Sequence, residues 1–254
     1  MKKFKINKPR EECGVFGISD HEDSSALVAL GLHALQHRGQ EGCGICSFDG
    51  KKFHLEKRQG LVGDHFTDQE VIKKLPGKFA IGHNRYSITI NKLPGRFPIG
   101  HNRYSTTGEV SLRNIQPFFA DLYTGGVSLA HNGNLTNAIE LRNNLVKDGA
   151  IFRTTSDTET IVQLIAKSNR NKMTDKIIDA LFQIQGGYAL VMMTNKKLIG
   201  IRDPFGIRPL VIGKLKNSFI LASETCALDI VGAKFIREVE NGEIVVIENG
   251  ELNS

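Results

Sequence analysis

Glu12-Cys13-Gly14-Val15-Phe16-Gly17-Ile18 sets a cysteine directly before a short, glycine-punctuated apolar run near the start of a 254-residue chain. Val15 to Ser19 is too short for a helix and reads as a strand. The runs Cys43 to Phe48, Val127 to His131, Tyr188 to Met193, Leu198 to Arg202, Phe219 to Ala222 and Glu243 to Ile247 read the same way. Four helices are expected among them. One follows Asp23-Ser24 and carries Ala26, Leu27, Ala29, Leu30, Ala34 and Leu35 before Gly39. One starts near Thr136 and buries Ile139, Leu141 and Leu145. One opens at Ser156-Asp157-Thr158-Glu159, with Ser156 as N-cap, Glu159 closing a capping box, and Ile161, Leu164 and Ile165 buried. The last starts around Thr174 and carries Ile177, Ile178, Leu181 and Ile184. Strands in runs and helices in pairs predict an α+β fold of mostly antiparallel hairpins with helices packed outside.

Composition narrows the function. With 40% hydrophobic and 24% charged residues the chain has the makeup of a globular domain with a sizeable core. No apolar run is long enough to span a bilayer, and Met1 to Arg10 is basic without the apolar centre of a signal peptide, which reads as cytoplasmic. The net charge of +6 sits in two places. Residues 1–12 hold five Lys/Arg against Glu11 and Glu12, and residues 74–91 hold Lys74, Lys78 and Arg85 without an acid. The rest is balanced, which argues against a nucleic-acid partner.

Lys74-Leu-Pro-Gly-Lys-Phe-Ala-Ile-Gly-His-Asn-Arg-Tyr-Ser-Ile-Thr-Ile-Asn91 is followed at once by a second copy, Lys92 to Glu109, identical at 13 of 18 positions. Two copies are too few for a solenoid, so residues 74–91 are expected to be a tandem duplication inserted into one fold. Four cysteines are too few and too scattered for a disulfide framework. Cys43-Gly-Ile-Cys46 has metal or redox spacing, but it lacks a second ligand pair and reads as structural cysteines of a buried strand.

Seven motifs in order give Cys13 its company. They are Cys13-Gly-Val-Phe-Gly-Ile18, Leu35-Gln-His-Arg-Gly-Gln-Glu-Gly42, Gly100-His-Asn-Arg-Tyr-Ser-Thr-Thr-Gly108, His131-Asn-Gly-Asn-Leu135, Thr155-Ser-Asp-Thr-Glu159, Asp203-Pro-Phe-Gly-Ile-Arg-Pro209 and Ala222-Ser-Glu-Thr-Cys-Ala227. From Glu11 to about Glu251 the chain resembles the class II, N-terminal-nucleophile glutamine amidotransferases. It is most similar to the branch whose second half is a phosphoribosyltransferase and which opens purine synthesis. The resemblance implies a four-layer αββα sandwich of two mostly antiparallel sheets, the Ntn hydrolase fold. It also implies a propeptide, residues 1–12, whose removal makes Cys13 the N-terminal residue of a domain spanning residues 13–254.

By the same resemblance Cys13 attacks the amide of L-glutamine and its free α-amine takes the proton. That amine titrates near ~7.7–8.0 and a thiol near ~8.5, so the exchange suits neutral pH. The Asn132 side chain and the Gly133 N–H, in the turn after a strand, are implied as oxyanion donors. On the residues alone Asn132-Gly133 also reads as a hairpin turn. Arg103 is implied for the substrate carboxylate, Asp157 for its ammonium, and Arg38 for the Cys13 backbone. Arg85 sits in the same His-Asn-Arg-Tyr-Ser context as Arg103. Upstream continuity favours Arg85, because Pro98 weakens the second copy as a strand. Downstream continuity into Ser-Thr-Thr-Gly108 and Asn114-Ile-Gln-Pro117 favours Arg103, and Arg103 is the expectation.

Cys226 occupies a position that ligates an iron–sulfur cluster in members with a propeptide. Its partner cysteines, and Mg2+, would belong to the phosphoribosyltransferase domain, for which no segment is found here. The chain is therefore expected to be the glutaminase half of a longer, homo-oligomeric protein, without a cofactor of its own. Hexosamine-forming and asparagine-forming relatives place the cysteine directly after the initiator Met. A non-catalytic module is the competing reading, made plausible by the duplication.

Overall fold

The structure, a computed structural model, describes residues 13–85 and 111–254. Among these, two antiparallel sheets lie face to face. The first has the order β11 (Lys234–Glu238), β9 (Val211–Leu215), β10 (Ser218–Ala222), β1 (Gly14–Ile18), β4 (Phe79–Arg85), β2 (Gly42–Phe48), β3 (Phe53–Gln59). The second runs β13 (Glu251–Asn253), β12 (Ile244–Glu248), β8 (Lys197–Arg202), β7 (Gly186–Thr194), β6 (Gly125–Leu135), β5 (Phe118–Leu122).

Three apolar clusters make four layers. Val15, Cys46, Ile81, Ala130, Val191 and Leu221 fill the space between the sheets. Phe16, Ile18, Cys43 and Ile45 point the other way, under α1 (Ser24–Ala34), α2 (Val62–His65), α3 (Gln69–Lys73) and α7 (Cys226–Ile230). Leu129, Leu190 and Ile199 pack under α4 (Ala138–Lys147), α5 (Asp157–Lys167) and α6 (Met173–Leu181). The period-2 alternation of β1 explains why so short a run is buried throughout: Val15 serves one cluster, Phe16 and Ile18 the other. Helices over both outer faces and a dry layer between the sheets are the αββα sandwich.

The structure departs from the sequence reading in several places. Strand β6 does not end at His131 but continues to Leu135, with Asn132 opposite Ala189 and Gly133 opposite Tyr188, so Asn132-Gly133 is no turn. Helix α4 starts at Ala138 and leaves Ile139 70% exposed, because the helix turns that position away from the sheet. In α6 Ile178 likewise faces outward while Ile177 is buried. Ser156 caps α5 by accepting from Thr158 N (3.3 Å). Glu159 closes no box; its carboxylate instead accepts from Arg153 N (2.9 Å) and Thr154 N (2.8 Å) and pins the preceding loop. The first copy of the repeat was expected to be additional to the fold. It supplies β4, a central strand registered against both β1 and β2. The second copy lies outside the described residues.

Candidate active site

Cys13 sits one residue before β1, buried, at φ 65°. A non-glycine residue at positive φ is uncommon, and such residues cluster at functional sites. Its backbone is held from behind: Cys13 N donates to Arg38 O (2.9 Å) and Arg38 Nε donates to Cys13 O (2.7 Å). Arg38 ends the 3-10 turn Gln36–Arg38 after α1, its side chain 1% exposed, and it also pairs with Glu224. The sequence reading placed Arg38 at this backbone, and the structure puts it there.

Strand β4 brings the next group. Gly14 pairs with Asn84 and Gly42 with Arg85, which carries Arg85 to the Cys13 end of the sheet. The Arg85 backbone is further fixed by Glu41 N, which donates to its carbonyl (3.1 Å), and by Gly39, where a Cβ would lie 2.6 Å from the Arg85 carbonyl carbon. The guanidinium is buried, and burial lowers its pKa while Cys13, Glu41 and Asp157 act on it in the opposite sense. Cys13, Arg85 and Asp157 are therefore one electrostatic neighbourhood. Arg103, the arginine expected there from sequence, lies outside the described residues.

Two buried histidines join the sheets beneath this point. His83 Nε2 donates to His131 O (3.2 Å), tying β4 to β6 next to Asn132. His131 N in turn donates to Gln116 Oε1 (2.6 Å), whose Nε2 donates to Thr158 Oγ1 (3.0 Å). That hydroxyl lies 3.0 Å from His131 Nδ1. Burial holds the pKa of His83 down to about 3, assisted by Arg85 and His131. His131 is also lowered by burial, against the pull of Asp157. The 3.8 Å approach of His131 Nδ1 to Asp157 Oδ1 is thus a contact of a neutral ring with a carboxylate, not an ion pair. Asp157 accepts from Leu135 N (3.0 Å), which ties the start of α5 to the end of β6.

On β6, Asn132 is fully buried and Gly133 adopts φ 147°, with an added Cβ 2.2 Å from Gly187 O. Only glycine fits there. His83, Gln116, Thr158 and Glu224 are the residues around Cys13 that sequence reading left without a role, whereas Arg85 was its alternative to Arg103. Gln116, Thr158 and Glu224 stand inside quoted motifs and His83 inside the quoted repeat, which was the available signal.

The remaining candidates fall elsewhere. Cys43 and Cys46, an odd number of residues apart on β2, face opposite sides of the sheet and cannot share a ligand; burial pushes both thiols up to about 12. Cys226 opens α7, its Sγ 3.6 Å from Glu224 Oε2. Among the described residues no three His, Cys, Asp or Glu side chains converge as metal ligands, and no helix is long and apolar enough to cross a membrane. A cavity of about 1020 Å³ beside β3, β5 and α5 is lined by Lys57, Phe118, Phe152 and Arg153 and by none of Cys13, Arg85, Asn132 or Asp157.

Comparison with known proteins agrees with this geometry. A family model described as glutamine amidotransferase domain matches residues 101–229. The amidophosphoribosyltransferase of Rhizobium etli is 55% identical over 94% of this chain and 44% of its own length. The chloroplastic amidophosphoribosyltransferase of Glycine max is 45% identical over 97% of this chain and 40% of its own. The solved glutamine phosphoribosylpyrophosphate amidotransferase of Bacillus subtilis, complexed with ADP and GMP, superposes with a TM-score of 0.83 at 40% identity, covering 95% of this chain and 48% of that one. The chain spans about half the length of the relatives it matches. With half of its residues matched by the family model and its two-sheet sandwich shared with a solved relative, the chain belongs to the glutamine amidotransferase domain family.

Proposed function

We propose that this chain hydrolyses L-glutamine to glutamate and ammonia with Cys13 as nucleophile. In this reading residues 1–12 are removed and the freed α-amine of Cys13 takes the thiol proton. The thiolate attacks the side-chain carbonyl carbon. Asn132 Nδ2 and Gly133 N–H stabilise the oxyanion, and the ammonium form of the amine returns its proton to the departing ammonia. Water then cleaves the γ-glutamyl thioester to free glutamate and regenerate the thiol. Asp157 takes the substrate ammonium. Arg85 takes its carboxylate in place of Arg103. The observation that carries this reading is Cys13, buried at φ 65° with its backbone held by Arg38, at the end of the sheet to which β4 brings the buried Arg85.

The ammonia would serve amination of phosphoribosyl pyrophosphate by a phosphoribosyltransferase domain in a longer protein, as the names of the matched relatives indicate. Such a protein would work in the cytoplasm, or in a plastid as the chloroplastic relatives do. The described residues do not by themselves fit an iron–sulfur cluster: Cys226 offers one thiol, while Cys43 and Cys46 are buried on β2. The test is intact-mass measurement combined with glutamate release. Protein beginning at Cys13 should turn over glutamine and its C13S variant should not. Folded protein beginning at Cys13 that releases no glutamate would defeat the proposal.

A further inference from the structure

Glu224 stands behind the nucleophile. Its carboxylate accepts from Arg38 Nη1, the same arginine whose Nε holds Cys13 O at 2.7 Å and whose carbonyl receives Cys13 N–H at 2.9 Å. The other carboxylate oxygen lies 3.1 Å from His37 Nε2 and 3.6 Å from Cys226 Sγ. Next to it, Ser223 grips β1 twice: its Oγ accepts from Val15 N (2.9 Å) and its N donates to Val15 O (3.0 Å). One corner of the chain, residues 223–224, thus sets both the strand that follows the nucleophile and the arginine that holds the nucleophile's backbone.

We infer that Glu224 is a positioning residue for glutamine hydrolysis, acting through Arg38 on Cys13; this rests on the reading of Cys13 as the nucleophile. The physical ground is the contrast in exposure. The Arg38 side chain is 1% exposed, so its planar guanidinium has few orientations open to it, and an ionised acid on Nη1 selects the one in which Nε meets Cys13 O. Burial of the Glu224 carboxylate raises its pKa, but Arg38 and His37 more than offset this, so it is charged at neutral pH. Without that anchor the fork can turn. The Cys13 carbonyl then loses its donor, and the thiol and amine carried on the same residue lose their fixed approach to the substrate.

The test uses protein that begins at Cys13 by intact mass, assayed for glutamate release in E224A, E224Q, R38A and the E224A/R38A pair. Misplacing a reacting group by about 1 Å costs up to roughly 100-fold, so E224A should lose about 10- to 100-fold in kcat. The glutamine KM should stay within about twofold, because Arg85 and Asp157 are untouched. E224Q keeps an acceptor oxygen for Arg38 and should recover part of the loss. In the R38A background E224A should cost nothing further, since both act through one contact. A merely structural role for Glu224 would lower stability and add in full to R38A. That additivity, or a kcat for E224A within about twofold of the parent, overturns the inference. Should E224A fail to fold, E224Q with and without R38A makes the same comparison. Activity surviving in C13S would refute the nucleophile itself, whereas an inactive C13S with an unaffected E224A refutes only the role of Glu224.

Discussion

Replacing Arg85 with alanine tests the site where structure and sequence pull apart. Arg85 is 6% exposed, at the end of a strand registered on both sides and braced by Gly39 and Glu41. A guanidinium buried on so fixed a backbone meets a carboxylate with less ordering left to do than an exposed one. Removing one member of a buried, hydrogen-bonded charge pair costs about 2–5 kcal/mol. At about 1.4 kcal/mol per factor of ten, R85A should lower kcat/KM for glutamine roughly 30- to 4,000-fold, mainly through KM. R85K keeps the charge without the two-pronged geometry and should fall between. R103A, made in parallel, should stay within about threefold of the parent. The assay is steady-state glutamate release over a wide glutamine range, with folding checked by thermal unfolding. R85A at parental kcat/KM with a large loss in R103A would show that β4 carries the wrong arginine for the reasoning above.

The oxyanion donors should separate by what they cost besides rate: N132A is expected to lower kcat roughly 100- to 1,000-fold with KM little changed. G133A, at φ 147° and with a Cβ 2.2 Å from Gly187 O, should lose activity and also about 1–3 kcal/mol of stability, or roughly 2–10 °C in Tm; a native Tm would contradict the strand geometry. The buried histidines make stability fall on acidification. His83 titrates near 6.5 when unfolded and about 3 when folded, so between these values the unfolded chain binds the extra proton and folding weakens as pH drops. Urea unfolding should show about 2 kcal/mol less stability at pH 5 than at pH 7 from His83, with His131 adding in the same direction, and H83Q should flatten that slope. A pH-independent midpoint over this window, which lies above the carboxylate range, would show that His83 is not held neutral.

What the sequence disclosed of this fold follows burial. Interior strands such as β1, β2, β7 and β10 are apolar runs and were legible, although the short interior strand β9, directly after the Arg208-Pro209 turn, was not read as one. The four edge strands, β3, β5, β11 and β13, were not. Phe53-His-Leu-Glu-Lys-Arg-Gln59 and Lys234-Phe-Ile-Arg-Glu238 carry the charges that keep an exposed edge from pairing with another chain, and those charges erase the pattern a strand is recognised by. In α4 Leu141 and Leu145, four residues apart, share the face toward the sheet, and Ile139, two positions before Leu141 and so on the opposite side of the helix, cannot join them. In the candidate site, Cys13 and its implied partners could be read because each stands in a motif. The supports could not. Gln116, Thr158 and His83 act through hydrogen bonds to residues 15 to 48 positions away, and a motif around one partner does not mark the other.

The duplication sharpens the same lesson. The first sheet has one slot between β1 and β2, and two nearly identical segments are candidates for it. They differ where it counts: Ala80 of the first copy stands opposite Ile18 on one side and Ser47 on the other, and the corresponding residue of the second copy is Pro98. A proline at a position flanked by strands on both sides removes a ladder donor that no solvent can replace. Leu75, buried under the same helical layer, leads the first copy into the slot. The family model nevertheless begins its match at residue 101, inside the second copy, because the motifs downstream continue from there. Sequence continuity and sheet geometry therefore select different copies. Under the proposed function the strand end decides between the two arginines: β4 carries the buried Arg85 to the end of the sheet where Cys13 sits, so the substrate carboxylate would meet Arg85 whichever copy the downstream motifs follow.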